Sequence, residues 1–136
     1  MNFLIDTNIF DELIADELFP DIFLDAGRIF NFYSTPIQEK EIEQLQDERK
    51  KKLIQSITRT VIPALDLPER FYHGDAKHLN DYQIAWTAYV NKKIAALITN
   101  DKNLITWCKD NDLGIVWTYQ QFITWYLNES GTPKGI

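Results

Sequence analysis

The chain has 136 residues, 45% of them hydrophobic and 25% charged, the balance of a single globular domain rather than of a disordered chain. Its formal net charge of -6 argues against a nucleic-acid binder held by charge alone, but not against one whose excess acids hold divalent cations. Cys108 is the only cysteine, so no intrachain disulfide can form; no apolar stretch approaches the roughly 20 residues of a membrane span, and Asp6 interrupts the N-terminal apolar run before it could serve as a secretory signal. These features predict a cytoplasmic protein without membrane contact.

Residues 1–5 read as a continuously apolar strand. Ile9, Phe10, Leu13, Ile14 and Leu18 then recur at helical spacing, predicting one helix over residues 8–19 that ends at or just after Pro20. "IFNFY" (29–33) is a second strand, followed by a helix in "STPIQEKEIEQL" with Thr35 as N-cap, Pro36 at its first position and Gln38 completing a capping box. That helix continues, or breaks and resumes, through "QDERKKKLIQSI", and the proline-rich "TVIPALDLP" predicts a short edge strand and a loop.

A helix is expected from Asp75 to about Lys93, a buried strand in "IAALIT", a helix in "KNLITWCKDN", a last strand in "GIVW" and a closing aromatic helix in "YQQFITWYL". The domain is expected over residues 1–127, with 128–136 a frayed tail. Alternation of strand and helix throughout is the signature of an α/β domain on a mainly parallel sheet.

In such a sheet ligands bind outside the carboxyl ends of the strands, and Asp6 and Asp101 both follow predicted strands. Each alone is explained equally well as a helix N-cap. Two further acids carry more weight: Glu41 falls within the stripe of Ile37, Ile42 and Leu45, while Glu39 and Glu43 point away from it. Asp81 shares a face with Ile84, Ala85 and Ala88. A carboxylate on an inner helix face is costly unless paired, and Lys40, Arg59, Lys77 or Lys92 could pair with these two only over long range. The simplest compensation for four acids at one edge is Mg²⁺ or Mn²⁺, which favour hard oxygen ligands.

The motifs "FLIDTNIF", "STPIQEKEI", "NDYQIAWTA" and "LITND" resemble, in order and spacing, the acidic motifs of PIN-domain nucleases, most closely the VapC-type toxin ribonucleases of type II toxin-antitoxin pairs. The resemblance implies a three-layer α/β/α fold with a mainly parallel sheet of four or five strands. It implies that Asp6, Glu41, Asp81 and Asp101 are catalytic acids that bind Mg²⁺ or Mn²⁺, with Asn8 and Thr99 as polar helpers. It further implies hydrolysis of RNA phosphodiester bonds, a homodimer and an antitoxin protein covering the acidic cleft. The sequence departs from the toxin pattern at Ile42, where Leu commonly follows the helical Glu, and in the two histidines of "RFYHGDAKHLND".

His73 and His78 are expected on the helix surface or in local hydrogen bonds. Arg49, Lys50, Lys51 and Lys52 form the one basic cluster, which a solvated helix face explains, and they are the first RNA contacts to test, followed by Arg59, Lys92 and Lys93. Trp107, Trp117, Tyr119, Phe122, Trp125 and Tyr126 fit core or subunit-interface packing better than stacking on bases. Two other functions compete with a nuclease. One is a PIN-like binding module whose acids no longer turn over substrate. The other is a haloacid dehalogenase-type phosphatase with Asp6 as nucleophile, whose second signature acid is replaced here by Asn8.

Overall fold

The N-terminal apolar run forms β1 (Asn2–Ile5), the central strand of a sheet and therefore buried on both faces. In the computed structural model, which describes residues 1–72 and 78–130, β1 is joined by β2 (Asn31–Ser34), β3 (Thr60–Val61), β4 (Ala96–Ile98) and β5 (Val116–Trp117). The five strands lie in the order β3-β2-β1-β4-β5, and every pairing is parallel. Around them run α1 (Ile9–Ala15), α2 (Phe19–Asp25), α3 (Pro36–Glu43), α4 (Glu48–Ser56), α5 (Leu79–Val90), α6 (Lys102–Asp110) and α7 (Tyr119–Glu129).

Two cores follow from the period-two alternation of the central strands. Phe3 and Ile5 of β1, with Ala96 and Ile98 of β4, pack against Phe10, Leu13, Ile22, Ile54 and Phe122 from α1, α2, α4 and α7. Leu4 and Leu97 face the other way, onto Ile84 and Ala88 of α5 and Leu104 of α6. Each fully buried side chain of this size stabilises the fold by roughly 1.5–3 kcal/mol. A sheet apolar on both faces must be covered on both, which gives the three-layer α/β/α arrangement.

Chain connections leave β1 and β4 in opposite directions. β1 leads through α1 and α2 to β2 on one side of the sheet, and β4 leads through α6 to β5 on the other. The carboxyl ends of β1 and β4 therefore border the topological switch point, where open α/β sheets form a crevice.

Local chemistry corrects the expected helix over residues 8–19. α1 stops at Ala15 because Asp16 is extended, with its carboxylate accepting a 2.8 Å hydrogen bond from the Leu18 N–H. Pro20 then lies in the first turn of α2 and starts a helix rather than ending one. α3 begins as expected at Thr35, Pro36 and the Gln38 capping box, and the chain breaks before α4, whose first turn is capped by Asp47. β3 is the expected edge strand. α7 continues to Glu129, two residues past the expected boundary, and residues 131–136 lie outside the described residues, as do His73 and Lys77. No helix among the described residues is long and apolar enough to cross a membrane.

Glu39 is the clearest reversal. Expected to point away from the core, it forms a bidentate pair with Arg59, Nε and Nη2 each donating at 2.7 Å, and it accepts a hydrogen bond from the Ser34 hydroxyl. Arg59 also donates to the carbonyls of Ile54 and Ile57 and lies over the Phe10 ring, so it is committed here and pairs with neither Glu41 nor Asp81. Against the burial that would raise it, the guanidinium and the Ser34 hydroxyl hold the Glu39 carboxyl below the usual range. A carboxyl with a lowered pKa stabilises the fold above its unfolded pKa, and that contribution is lost as pH falls through the folded value. Glu39→Ala, leaving Arg59 with only 9% of its side chain exposed and unpaired, is expected to cost about 2–4 kcal/mol in urea unfolding at pH 7, and Glu43→Ala less than about 0.5 kcal/mol.

Candidate active site

Asp6 is the first residue beyond β1 and is 7% exposed. The parallel pairing of β1 with β4 sets its position: its N–H donates to the Ile98 carbonyl at 3.0 Å, extending the ladder by one residue to the sheet edge. Both carboxylate oxygens are held. Oδ1 accepts from the Thr7 N–H at 2.9 Å, and Oδ2 accepts from the buried Thr99 hydroxyl at 2.7 Å. The same Thr99 oxygen accepts from the Asp101 N–H at 3.1 Å, so one side chain links the ends of β1 and β4 and sets the loop that carries Asp101.

Asp6 does not cap α1, whose N-cap position is taken by Asn8 without a side-chain hydrogen bond. Asp101 does cap α6, its Oδ1 accepting from the N–H groups of Asn103 and Leu104 at 2.9 and 3.3 Å. Of the two readings open for these residues, Asp101 thus satisfies the capping one, while Asp6 has no such role.

α3 is fixed to the same edge by Gln38. Fully buried, this residue closes the capping box with the Thr35 N–H at 3.0 Å and donates from Nε2 to the Ile5 carbonyl at 3.1 Å. Gln38, with Ile42, occupies the inward stripe in which Glu41 was expected. Glu41 itself is exposed at the rim of the cleft, where it accepts from the Thr7 hydroxyl at 3.2 Å. Asp81 lies in the first turn of α5, one-third exposed, with Oδ2 3.6 Å from His78 Nδ1. His78 is therefore a local partner of one of the acids.

Asp6, Glu41 and Asp81 each feel the charge of at least one other acid of the four. Burial, reinforced by the charges of Asp81 and Asp101, raises the Asp6 carboxyl above its ordinary range despite the hydrogen bonds from Thr99 and Thr7. Glu41 is raised by burial and by Asp6 and Asp81, against the Thr7 hydrogen bond. Asp81 is raised by burial and by Asp101, against its contact with His78. The structure thus brings the four predicted acids to one edge. It does not draw them tightly together: among the described residues no group of three or more His, Cys, Asp or Glu side chains is close enough to hold a metal ion.

The two polar helpers expected from the sequence fare differently. Thr99 is bonded to Asp6, whereas Asn8 is exposed and Thr7 takes the place beside the acids. Thr7 and Gln38 were the residues the sequence reading missed as site elements. Thr7 stands between an acid and a helix start, where a hydroxyl can reach a neighbouring carboxylate, and that was its only signal. The Cys108 thiol is buried and pushed up to about 12, so it offers no nucleophile.

Two grooves flank the acids. One, of about 460 Å³, lies between α3 and α5 and is lined by Pro36, Ile37, Lys40, Glu41, Gln44 and Asn80. The other, of about 400 Å³, lies between α5 and α6. On the opposite side of the sheet, Lys50 is paired with Asp11 of α1 at 2.6 Å, while Arg49 and Lys52 are exposed. Comparison with protein-family models and with curated proteins finds no match to this chain.

Carboxyls with raised pKa values bind their protons more tightly folded than unfolded. Stability therefore falls as pH rises from about 4 through the raised values, and the loss is complete above them. Glu41→Gln keeps an acceptor for Thr7 and removes one of the repelling charges. It is expected to raise the melting temperature by about 1–2 °C at pH 8 in low salt, with the gain vanishing near pH 4, as measured by thermal unfolding across pH.

Proposed function

We propose that the protein is a nuclease dependent on Mg²⁺ or Mn²⁺ that hydrolyses RNA phosphodiester bonds at the edge bearing Asp6, Glu41, Asp81 and Asp101. The observation that carries this reading is the buried Asp6 at the switch point, its carboxyl raised by burial and by the charges of Asp81 and Asp101, with both oxygens oriented by hydrogen bonds from Thr7 and Thr99. The donor chemistry fits a hard divalent ion, all oxygen and mostly charged. Mg²⁺ usually takes only one or two protein carboxylates and completes its shell with waters and substrate phosphates, so this reading does not require three converged acids.

Asp6, positioned by Thr99 and Thr7, is the fixed ligand of this reading, and Asp101, steadied by its capping bonds, is the second. Glu41 and Asp81 stand at the rim, more exposed, and reach the ion directly or through water. When bound, the ion supplies polarisation of the phosphate and a water of lowered pKa. The protein's own contribution is to keep both Asp6 oxygens oriented and to hold Asp81 beside His78.

The RNA substrate rests on the motif order that resembles PIN-domain nucleases, as do a VapC-like toxin role, a homodimer and an antitoxin covering the cleft. Arg49, Lys51 and Lys52 are the basic groups on α4 offered to the RNA backbone, Lys50 being engaged by Asp11. A second reading, a binding module that does not turn over RNA, is favoured by one observation, the absence among the described residues of a converged triad of metal ligands. A phosphatase using Asp6 as nucleophile has less support, because Asn8, in the place of its second acid, is exposed.

Purified protein with Mn²⁺ is expected to cleave RNA. Asp6→Asn should lower kcat/KM at least 10³-fold, on the order expected for removing a preorganised charged group. Thr99→Val, which frees one Asp6 oxygen, should cost about 10- to 100-fold, as for loss of a partner that orients a ligand. Cleavage unchanged in Asp6→Asn contradicts the reading, and tight Mn²⁺ binding without cleavage of any RNA favours the binding module.

A further inference from the structure

Trp107 stands apart from the other C-terminal aromatic residues. Tyr119, Phe122 and Tyr126 are in the core on the α7 side of the sheet, and Trp117 and Trp125 pack against it. Trp107 lies on the opposite side, half-buried on α6, with its ring stacked on Tyr82 of α5 at 4.2 Å and 7° between planes. The pair forms one wall of the groove of about 400 Å³ between α5 and α6, which His78, Asn103, Thr106 and Asp110 also line.

This groove begins where the acid edge ends. His78, on its lining, lies 3.6 Å from the Asp81 carboxylate, and Asn103, also on its lining, donates its N–H to Asp101 at 2.9 Å. A polynucleotide crossing the acids therefore meets the groove within one nucleotide. The volume falls in the range of small-molecule sites and suits a nucleoside.

The lining chemistry selects among the parts of a nucleotide. Among the described residues neither Lys nor Arg lines the groove, and Asp110 would repel a phosphate. The stack of Tyr82 and Trp107, whose inner faces cover each other so that a base would extend it at an outer end, together with the Asn103 amide, the Thr106 hydroxyl and the Asp110 carboxylate, instead matches a base, whose face stacks and whose amino and carbonyl edges bond. A chain of net charge -6 also has reason to derive affinity from stacking rather than from phosphate contacts.

We propose that the α5/α6 groove is a base-binding subsite for the nucleotide flanking the cleaved bond, with Tyr82 and Trp107 as the stacking wall and Asn103 and Asp110 reading the base edge. The inference rests on the nuclease reading above. It adds a specificity determinant that lies outside the four acids.

The test is Mn²⁺-dependent cleavage of a short single-stranded RNA by the full chain, with each position near the cleaved bond replaced in turn by an abasic residue. One abasic position is expected to lower kcat/KM about tenfold, and Trp107→Ala to do the same. The two together should cost no more than either, and Trp107→Phe should stay within about twofold of wild type. The Trp107→Ala loss should be equal at 50 and 200 mM salt, as for a contact that involves no phosphate. Should Trp107→Ala fail to fold, Asn103→Ala on the exposed wall carries the test, with a loss of about threefold that disappears on the abasic substrate. Cleavage indifferent to every abasic position, or an abasic penalty undiminished in the variants, overturns the subsite and leaves the nuclease reading intact. A wild-type protein that cleaves no RNA overturns both.

Discussion

The hydrogen bond from the Thr99 hydroxyl to Asp6 joins the ends of β1 and β4, and the arrangement of the acid edge depends on it. Thr99 sits one residue past β4 and Asp6 one past β1, so the bond closes the crevice where connections on the two sides of the sheet diverge. Through its second bond, from the Asp101 N–H, Thr99 places the third residue of the loop, which then caps α6. A buried threonine with both lone-pair and proton engaged has one geometry available, and the two strand ends inherit it.

Around that link the fold brings together charges that would be more stable apart. Asp6, Glu41 and Asp81 are each raised by burial and by at least one other acid of the four, while Arg59 is bound to Glu39. The pairing of Glu39 with Arg59 satisfies the acid that faces inward between β2 and α4. Among the described residues no Lys or Arg forms an ion pair with the acids at the strand ends, and His78 lies 3.6 Å from Asp81. Stored repulsion of this kind is the usual cost of a functional site, where stability and activity trade against each other.

The layered architecture was legible in the sequence because its signals are local. Continuous apolar runs marked β1 and β4, and the Thr35-Pro36-Gln38 cap marked α3. The positions of Asp6 and Asp101 just past strand ends, and of Asp81 in the first turn of α5, followed from that frame. What the sequence did not disclose depends on contacts distant along the chain. Glu39 and Glu41 are two residues apart on one short helix, and periodicity assigned them the wrong way round because Arg59, twenty residues on, draws Glu39 inward. Gln38 was readable as a cap but not as the donor to Ile5, and Thr7 replaced Asn8 beside the acids because α1 begins after Asn8 rather than at it. The stacking of Trp107 on Tyr82, in different helices, had no sequence signature at all.

Titration of ¹⁵N-labelled protein with Mn²⁺, followed by paramagnetic broadening of backbone amides, tests most directly whether the acid edge is a cation site. The account predicts that the amides of Thr7, Asp81, Thr99 and Asp101 broaden first and together, at sub-stoichiometric Mn²⁺, and that Asp6→Asn abolishes the effect. Broadening that starts elsewhere on this acidic surface, or that spreads without a focus and persists in Asp6→Asn, would contradict it.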